Sequence, residues 1–220
     1  MSASERGAKR VAVFGGSFDP IHNGHVEVAE AARATNDLDR VVFVPVYQQP
    51  HRPDPPVAPG RDRLRMIELA VEDRPGFEAS DCELRRGETS YTVDTMAAFR
   101  RRLGPETALF FIVGSDSIRE LPAWKDLPRL ARLCTFIVAA RPGWPIDRLD
   151  DLAEHLPDEY VRSMKSAAVR TTGSRASSSE VRERRARGAS IAGLVPEPVR
   201  AYIRQNKLYR GSADKYDNKG

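Results

Sequence analysis

The chain has 220 residues, 40% of them hydrophobic and 30% charged, and its 35 Lys and Arg against 31 Asp and Glu leave a formal charge of +4. That length supports one domain with a full core. No apolar run approaches the ~20 residues of a membrane span, and the polar segment Met1–Arg10 lacks the apolar stretch of a secretory signal, so a cytoplasmic protein that does not bind membranes is expected. Basic and acidic residues are interspersed, a balance that suits small anionic ligands as well as a nucleic acid. Cys82 and Cys134 lie in apolar or strand-like runs, far from zinc-finger spacing, and read as buried reduced thiols.

Taken in order, residues 1–9 are expected to be flexible, and Lys9 to Gly15 reads as a strand buried on both faces because Val11, Ala12, Val13 and Phe14 form a continuous apolar run. Small and apolar residues then recur at helical spacing from Asn23 to about Thr35, where Asn36-Asp37 ends the element. Arg40 to Pro45 is a second buried strand, close enough in sequence to be the parallel neighbour of the first in a right-handed crossover. Five prolines between Pro50 and Pro59 make Tyr47 to Gly60 a long loop, of the kind that often carries function.

Arg61 to Asp73 is predicted helical, followed by a short strand around Phe77 to Leu84, a polar turn over Arg86 to Thr92, and a helix from about Val93 to Leu103. Ala108 to Gly114 is the most hydrophobic strand, and Ser115-Asp116-Ser117 after its glycine repeats the first strand-to-helix junction. One or two short helices interrupted by Pro122 and Pro128 precede a strand over Cys134 to Ala140. Asp147 to Met164 is predicted helical, Ser166 to Arg170 a short last strand, and two helices cover Ser178 to Arg187 and Pro196 to Asn206.

Residues 211–220 are polar and are expected to be a disordered tail, leaving one domain over 10–210. Strands alternating with helices imply an α/β fold: a doubly wound, mostly parallel, Rossmann-like sheet flanked by helices, with a small C-terminal helical segment. In such sheets ligands bind beyond the carboxyl ends of the strands, where the strand order reverses.

The stretch Gly15-Gly16-Ser17-Phe18-Asp19-Pro20-Ile21-His22-Asn23-Gly24-His25 sits at such an end. Two glycines let a backbone approach an anion closely, and the following helix directs its unpaired N–H groups and partial positive charge at it. The loop matches neither the P-loop nor the G-x-G-x-x-G dinucleotide pattern. His22 and His25, three apart at a helix start, can reach one phosphate together and stabilise charge developing on it. Each also reads as a capping or core histidine, or as a metal ligand, although a metal would need a third ligand nearby. Ser177, Ser178 and Ser179 offer helix-capping hydroxyls, and Arg182 one turn on can fork onto phosphate oxygens, a second anion clamp.

The first stretch resembles the HxGH signature of the nucleotidyltransferase superfamily, and Ala176-Ser177-Ser178-Ser179-Glu180-Val181-Arg182 resembles its ISSTxIR signature, with Ala176 replacing a larger apolar residue. Within that superfamily the chain is most similar to the bacterial nicotinate-nucleotide adenylyltransferases, from about Val11 to Tyr209. Pro50-His51-Arg52 resembles their PPHK/R loop, Ser90 to Thr95 their SYTxDT segment, Gly114-Ser115-Asp116 their GxD segment and Arg141-Pro142-Gly143 their RPG segment. The ending Leu194-Val195-Pro196, Tyr202-Ile203 and Leu208-Tyr209 is also similar.

The resemblance implies adenylyl transfer from ATP, carried with Mg²⁺, to nicotinate mononucleotide, giving deamido-NAD and pyrophosphate in NAD biosynthesis. It assigns His22, His25 and Arg182 to catalysis, and Gly15, Gly16, Ser17, Phe18, Gly24, Gly114, Asp116, Ser178 and Ser179 to ATP. The nicotinate partner would meet Thr92 through its carboxylate and Trp124 through its ring, with Arg52 and Arg141 as further contacts and no protein-held metal. Asp19 shapes the loop in this reading, and Lys125 stands where relatives often carry an aromatic residue. Other readings are transfer to nicotinamide mononucleotide or to 4′-phosphopantetheine, and a nucleotide-sensing binding protein. A nucleic-acid module is disfavoured because the Arg-rich segment 182–187 carries no aromatic residue. A homo-oligomer is left open.

Overall fold

The computed structural model describes residues 9–50, 54–140, 143–171 and 176–211. Six strands form one sheet: β1 Arg10–Gly16, β2 Arg40–Pro45, β3 Phe77–Ala79, β4 Ala108–Gly114, β5 Thr135–Ala140 and β6 Val169–Arg170. Their order is β3-β2-β1-β4-β5-β6 and every neighbouring pair is parallel. The strand order reverses between β1 and β4, which pair from Arg10 with Ala108 to Phe14 with Ile112. A crevice at their carboxyl ends is therefore a property of the topology.

Side-chain alternation along β1 sends Ala12 and Phe14 to one face of the sheet and Val11 and Val13 to the other, and all four are buried. The first face is covered by α1 Asn23–Thr35, α2 Gly60–Val71, α7 Ser178–Ala186 and α8 Glu197–Gln205, through Val26, Ala29, Met66, Ile67, Val181, Val199 and Ile203. The second is covered by α4 Thr92–Leu103, α5 Leu127–Leu133, α6 Asp158–Ala167 and two 3₁₀ segments, Ser115–Ala123 and Ile146–Glu154. Each large apolar side chain placed in these layers contributes about 1.5–3 kcal/mol of burial.

Three expected elements differ. The strand expected over Phe77 to Leu84 ends at Ala79, and Cys82–Arg86 instead forms a short helix, α3. Beyond Phe43, which pairs with Ala79, β2 has little left to offer a partner, and Gly87 at φ +68° supplies the left-handed residue that terminates the helical turn. The helix expected over Asp147 to Met164 is two pieces, because Pro157 lacks the N–H and sterically blocks the preceding turn; it stands at the amino end of α6. As α6 runs on to Ala167, the last strand keeps only Val169 and Arg170. The flexible segment and disordered tail expected at the two ends fall almost wholly outside the described residues. Among the described residues no helix is long and apolar enough to cross a membrane.

Candidate active site

Between β1 and α1 the chain turns through Ser17 to His22 with Phe18 in the left-handed region at φ +46°, a conformation costing a non-glycine residue on the order of 1–3 kcal/mol. Burial offsets that strain. The Phe18 ring is fully buried and meets Phe14, Phe43 and His25 edge-on, with centroids at 5.5, 5.7 and 4.9 Å. A Cβ on Gly16 would stand 3.2 Å from that ring, and one on Gly24 would stand 3.1 Å from the His22 imidazole. These glycines thus admit side chains of the loop itself, a packing requirement in addition to any approach of an anion.

The His22 and His25 rings stack with centroids 3.7 Å apart at the amino end of α1. The His22 backbone N–H donates to Nδ1 of His25 at 3.2 Å, so the neutral His25 ring carries its proton on Nε2 and keeps that N–H as a donor. Enclosure of the ring, and secondarily charge repulsion from His22, push the His25 pKa well below the ordinary histidine value. Among the described residues no group of three or more His, Cys, Asp or Glu side chains gathers where a metal ion could be held.

The second helix end docks on the same loop. Ser177 caps α7 by accepting the Glu180 N–H at 3.1 Å, Ser178 Oγ donates to the Pro20 carbonyl at 2.9 Å, and Arg182 donates to the Asp19 carbonyl at 2.8 Å and to Ser179 Oγ at 3.3 Å. Since the Ser178 proton is committed to Pro20, the donors left for an anion here are the unpaired N–H groups of the first turn and whatever the guanidinium does not give the loop. Ala176 is buried beside Gly24.

Asp19 is the hub of the loop. It is 4% exposed; Oδ2 accepts the Val57 N–H at 2.7 Å, and Oδ1 accepts Ala58 N–H at 3.0 Å and the Tyr209 hydroxyl at 2.8 Å. Arg63, 2% exposed, donates to the carbonyls of Ser17, Val46 and Ala58 at 2.7, 2.8 and 3.2 Å. Burial lowers its pKa, partly countered by Asp19, Tyr209 and Glu83. The turn of β1, the proline-rich loop and the chain end are thereby joined around one carboxylate and one guanidinium.

On the other side of β1, a cavity of about 190 Å³ is lined by Gly15, Gly16, Thr92, Gly114 and Trp124, with Glu83 among its further walls. Thr92 is the first residue of α4, so the helix points unpaired N–H groups there. Trp124 stands edge-on to Phe111 at 6.0 Å. Lys125 pairs with Asp94 at 2.9 Å and lies over the Tyr91 ring at 4.4 Å. Asp116, one residue past Ser115, faces a neighbouring cavity with Arg119, Trp144, Arg148 and His155.

The structure thus gathers Gly15, Gly16, Gly114, Thr92 and Trp124 at one cavity, and Ser17, Phe18, His22, Gly24, His25, Ser178, Ser179 and Arg182 around one loop. Asp116 lines the second cavity, which adjoins the first at Gly114 to Ser117, and Arg52 and Arg141 lie outside the described residues. Sequence reading missed Arg63 and Glu83. A signal for Arg63 existed: it precedes Met66, Ile67 and Ala70 at helical spacing on the buried face of α2, where a charge needs a built partner set. Glu83 was hidden by the expected strand.

Residues 13–184 match the family model described as "Cytidylyltransferase-like". A "Probable nicotinate-nucleotide adenylyltransferase" of Moorella thermoacetica is 44% identical over 96% of this chain and 96% of its own, and one of Desulfatibacillum aliphaticivorans is 39% identical over 91% of this chain and 99% of its own. The solved structure titled "Plasmodium falciparum nicotinic acid mononucleotide adenylyltransferase complexed with NaAD" shares the fold at a TM-score of 0.71 and 21% identity, covering 91% of this chain and 97% of that one. With its histidine pair at the switch point and relatives that match almost end to end, the chain belongs to the cytidylyltransferase-like family, among the nicotinate-nucleotide adenylyltransferases.

Proposed function

We propose that this protein transfers the adenylyl group of ATP to nicotinate mononucleotide, forming deamido-NAD and pyrophosphate in NAD biosynthesis. The observation that carries the reading is the stacked His22–His25 pair at the α1 amino end, beside a cavity that ends at the amino end of α4 and at Trp124. A phosphate oxygen of the mononucleotide attacks the α-phosphorus of ATP, a new P–O bond forms, and the bond to the β-phosphate oxygen breaks. No protein nucleophile takes part. Mg²⁺ enters as part of the substrate and spreads the triphosphate charge.

Catalysis by the chain is alignment and charge stabilisation. His25, held neutral with its proton on Nε2, donates to a phosphate oxygen without needing a proton from solvent; His22 and the amino ends of α1 and α7 complete the cradle, with Arg182 bracing it. Asp116 takes the role of ribose contact. The nicotinate carboxylate is received by Thr92 and the unpaired N–H groups of α4, and the pyridinium ring by Trp124, whose electron-rich face suits a flat cation. Arg52 and Arg141 are further contacts to the mononucleotide.

The test is pyrophosphate release from MgATP with nicotinate or nicotinamide mononucleotide. Turnover with the acid form is expected, falling by about 10²-fold or more in His25→Ala with an unchanged circular dichroism spectrum. A folded His25→Ala protein with wild-type turnover refutes the catalytic assignment, and absence of product with either mononucleotide refutes the reaction.

A further inference from the structure

Glu83 is a buried acid that the mechanism above does not use. It is 4% exposed and lines the same cavity as Thr92 and Trp124. Its Oε1 accepts the Thr95 hydroxyl at 2.5 Å, while Oε2 meets no donor at hydrogen-bond geometry among the described residues, the Ser90 hydroxyl being close enough only to act on the carboxyl's charge. Thr95 lies three residues after Thr92 on α4, so the two side chains share a helix face and the carboxyl group sits about one turn from the α4 amino end. A carboxyl group here is not required by packing, since a buried, half-satisfied acid is costly and an amide of the same shape would keep the Thr95 contact.

We propose that Glu83 is a specificity-determining residue of the pyridine subsite, setting by its charge how strongly a ring carboxylate is preferred over a ring carboxamide. The inference rests on the cavity being the nicotinate subsite. An ionised Glu83 attracts the pyridinium of both mononucleotides alike but repels only the carboxylate, so the acid-to-amide ratio isolates its charge. Desolvation raises its pKa, opposed by the hydroxyls of Thr95 and Ser90 and by the guanidinium groups of Arg86 and Arg63. Among the described residues the other ionisable groups about it are Cys82 on α3, and Tyr91, Glu120 and Lys125 in the cavity wall, Lys125 being paired with Asp94. Discrimination is thus strongest where Glu83 is neutral and declines as rising pH ionises it.

The experiment measures kcat/KM for nicotinate and nicotinamide mononucleotide from about pH 5 to 8.5 in the wild-type protein and in Glu83→Gln. At the upper end the acid-to-amide ratio is expected to be about fivefold or more higher in Glu83→Gln, with little pH dependence, while in wild type it falls as pH rises. Glu83→Ala, which also loses the Thr95 contact, should depress both rates yet show the same flat ratio, separating charge from bracing. Ratios within about twofold of wild type at every pH in both variants overturn the proposal. Calorimetric binding of the two mononucleotides reports the same ratio without turnover, so failure of the adenylyl-transfer reading and failure of the Glu83 inference are read separately.

Discussion

Replacing Tyr209 with phenylalanine removes one atom from the hub that joins the histidine loop to the rest of the molecule. The Tyr209 hydroxyl donates to Asp19 Oδ1 at 2.8 Å, and both residues are buried, at 8% and 4% exposure. Burial and the adjacent Asp19 carboxylate push the tyrosine pKa far upward, so the hydroxyl remains a donor at every working pH. The ring and its packing are unchanged by the substitution, and Asp19 keeps the N–H groups of Val57 and Ala58, so no charge is orphaned. The loss is one hydrogen bond to a charged group, about 1.5–3 kcal/mol. For a chain of this size that lowers Tm by about 3–12 °C. Differential scanning calorimetry measures it. Because the Asp19 carbonyl also receives Arg182, KM for ATP should rise in the same variant while the fold is retained. A Tm within about 1 °C of wild type with unchanged kinetics refutes the view that this contact anchors the loop.

Arg63→Met keeps most of the buried stem but leaves the carbonyls of Ser17, Val46 and Ala58 without their donor; a loss of about 3 kcal/mol or more is expected in urea unfolding, and a loss under 1 kcal/mol contradicts the assignment. His25 gives a pH signature. Its folded pKa is depressed below the unfolded value of about 6.5, so the unfolded chain binds the extra proton first, and the stability present above that pH is lost as pH falls towards the folded pKa. His25→Asn, whose Oδ1 can replace Nδ1 as acceptor, should lose less stability than wild type between about pH 6.5 and 5, measured by chemical denaturation. Parallel profiles would remove His25 as the source.

Much of the architecture was written locally. Val11 to Phe14, Arg40 to Pro45 and Ala108 to Gly114 are short apolar runs closed by glycine or proline, and strands buried on both faces need no other signal. The histidine spacing and the serine-rich cap before Arg182 were likewise readable, because a helix turn places residues three or four apart together whatever surrounds it. Where reading failed most, at Cys82–Arg86, the deciding facts were the end of the β2 ladder and the inward turn of Glu83 towards Thr95, neither of which is a local property.

What the sequence by itself determined is thus the run of strands and helices, the phosphate-type loop and the resemblance that named its chemistry. Only the tertiary structure decided that Ser178 and Arg182 brace the loop from 158 and 163 residues away, that Tyr209 closes on Asp19 across 190, and that an acid stands beneath the amino end of α4. The physical reason is one of range. Propensity and periodicity act over a few residues, whereas a hydrogen bond in a buried hub depends on which distant segments the two faces of the sheet bring to its carboxyl edge.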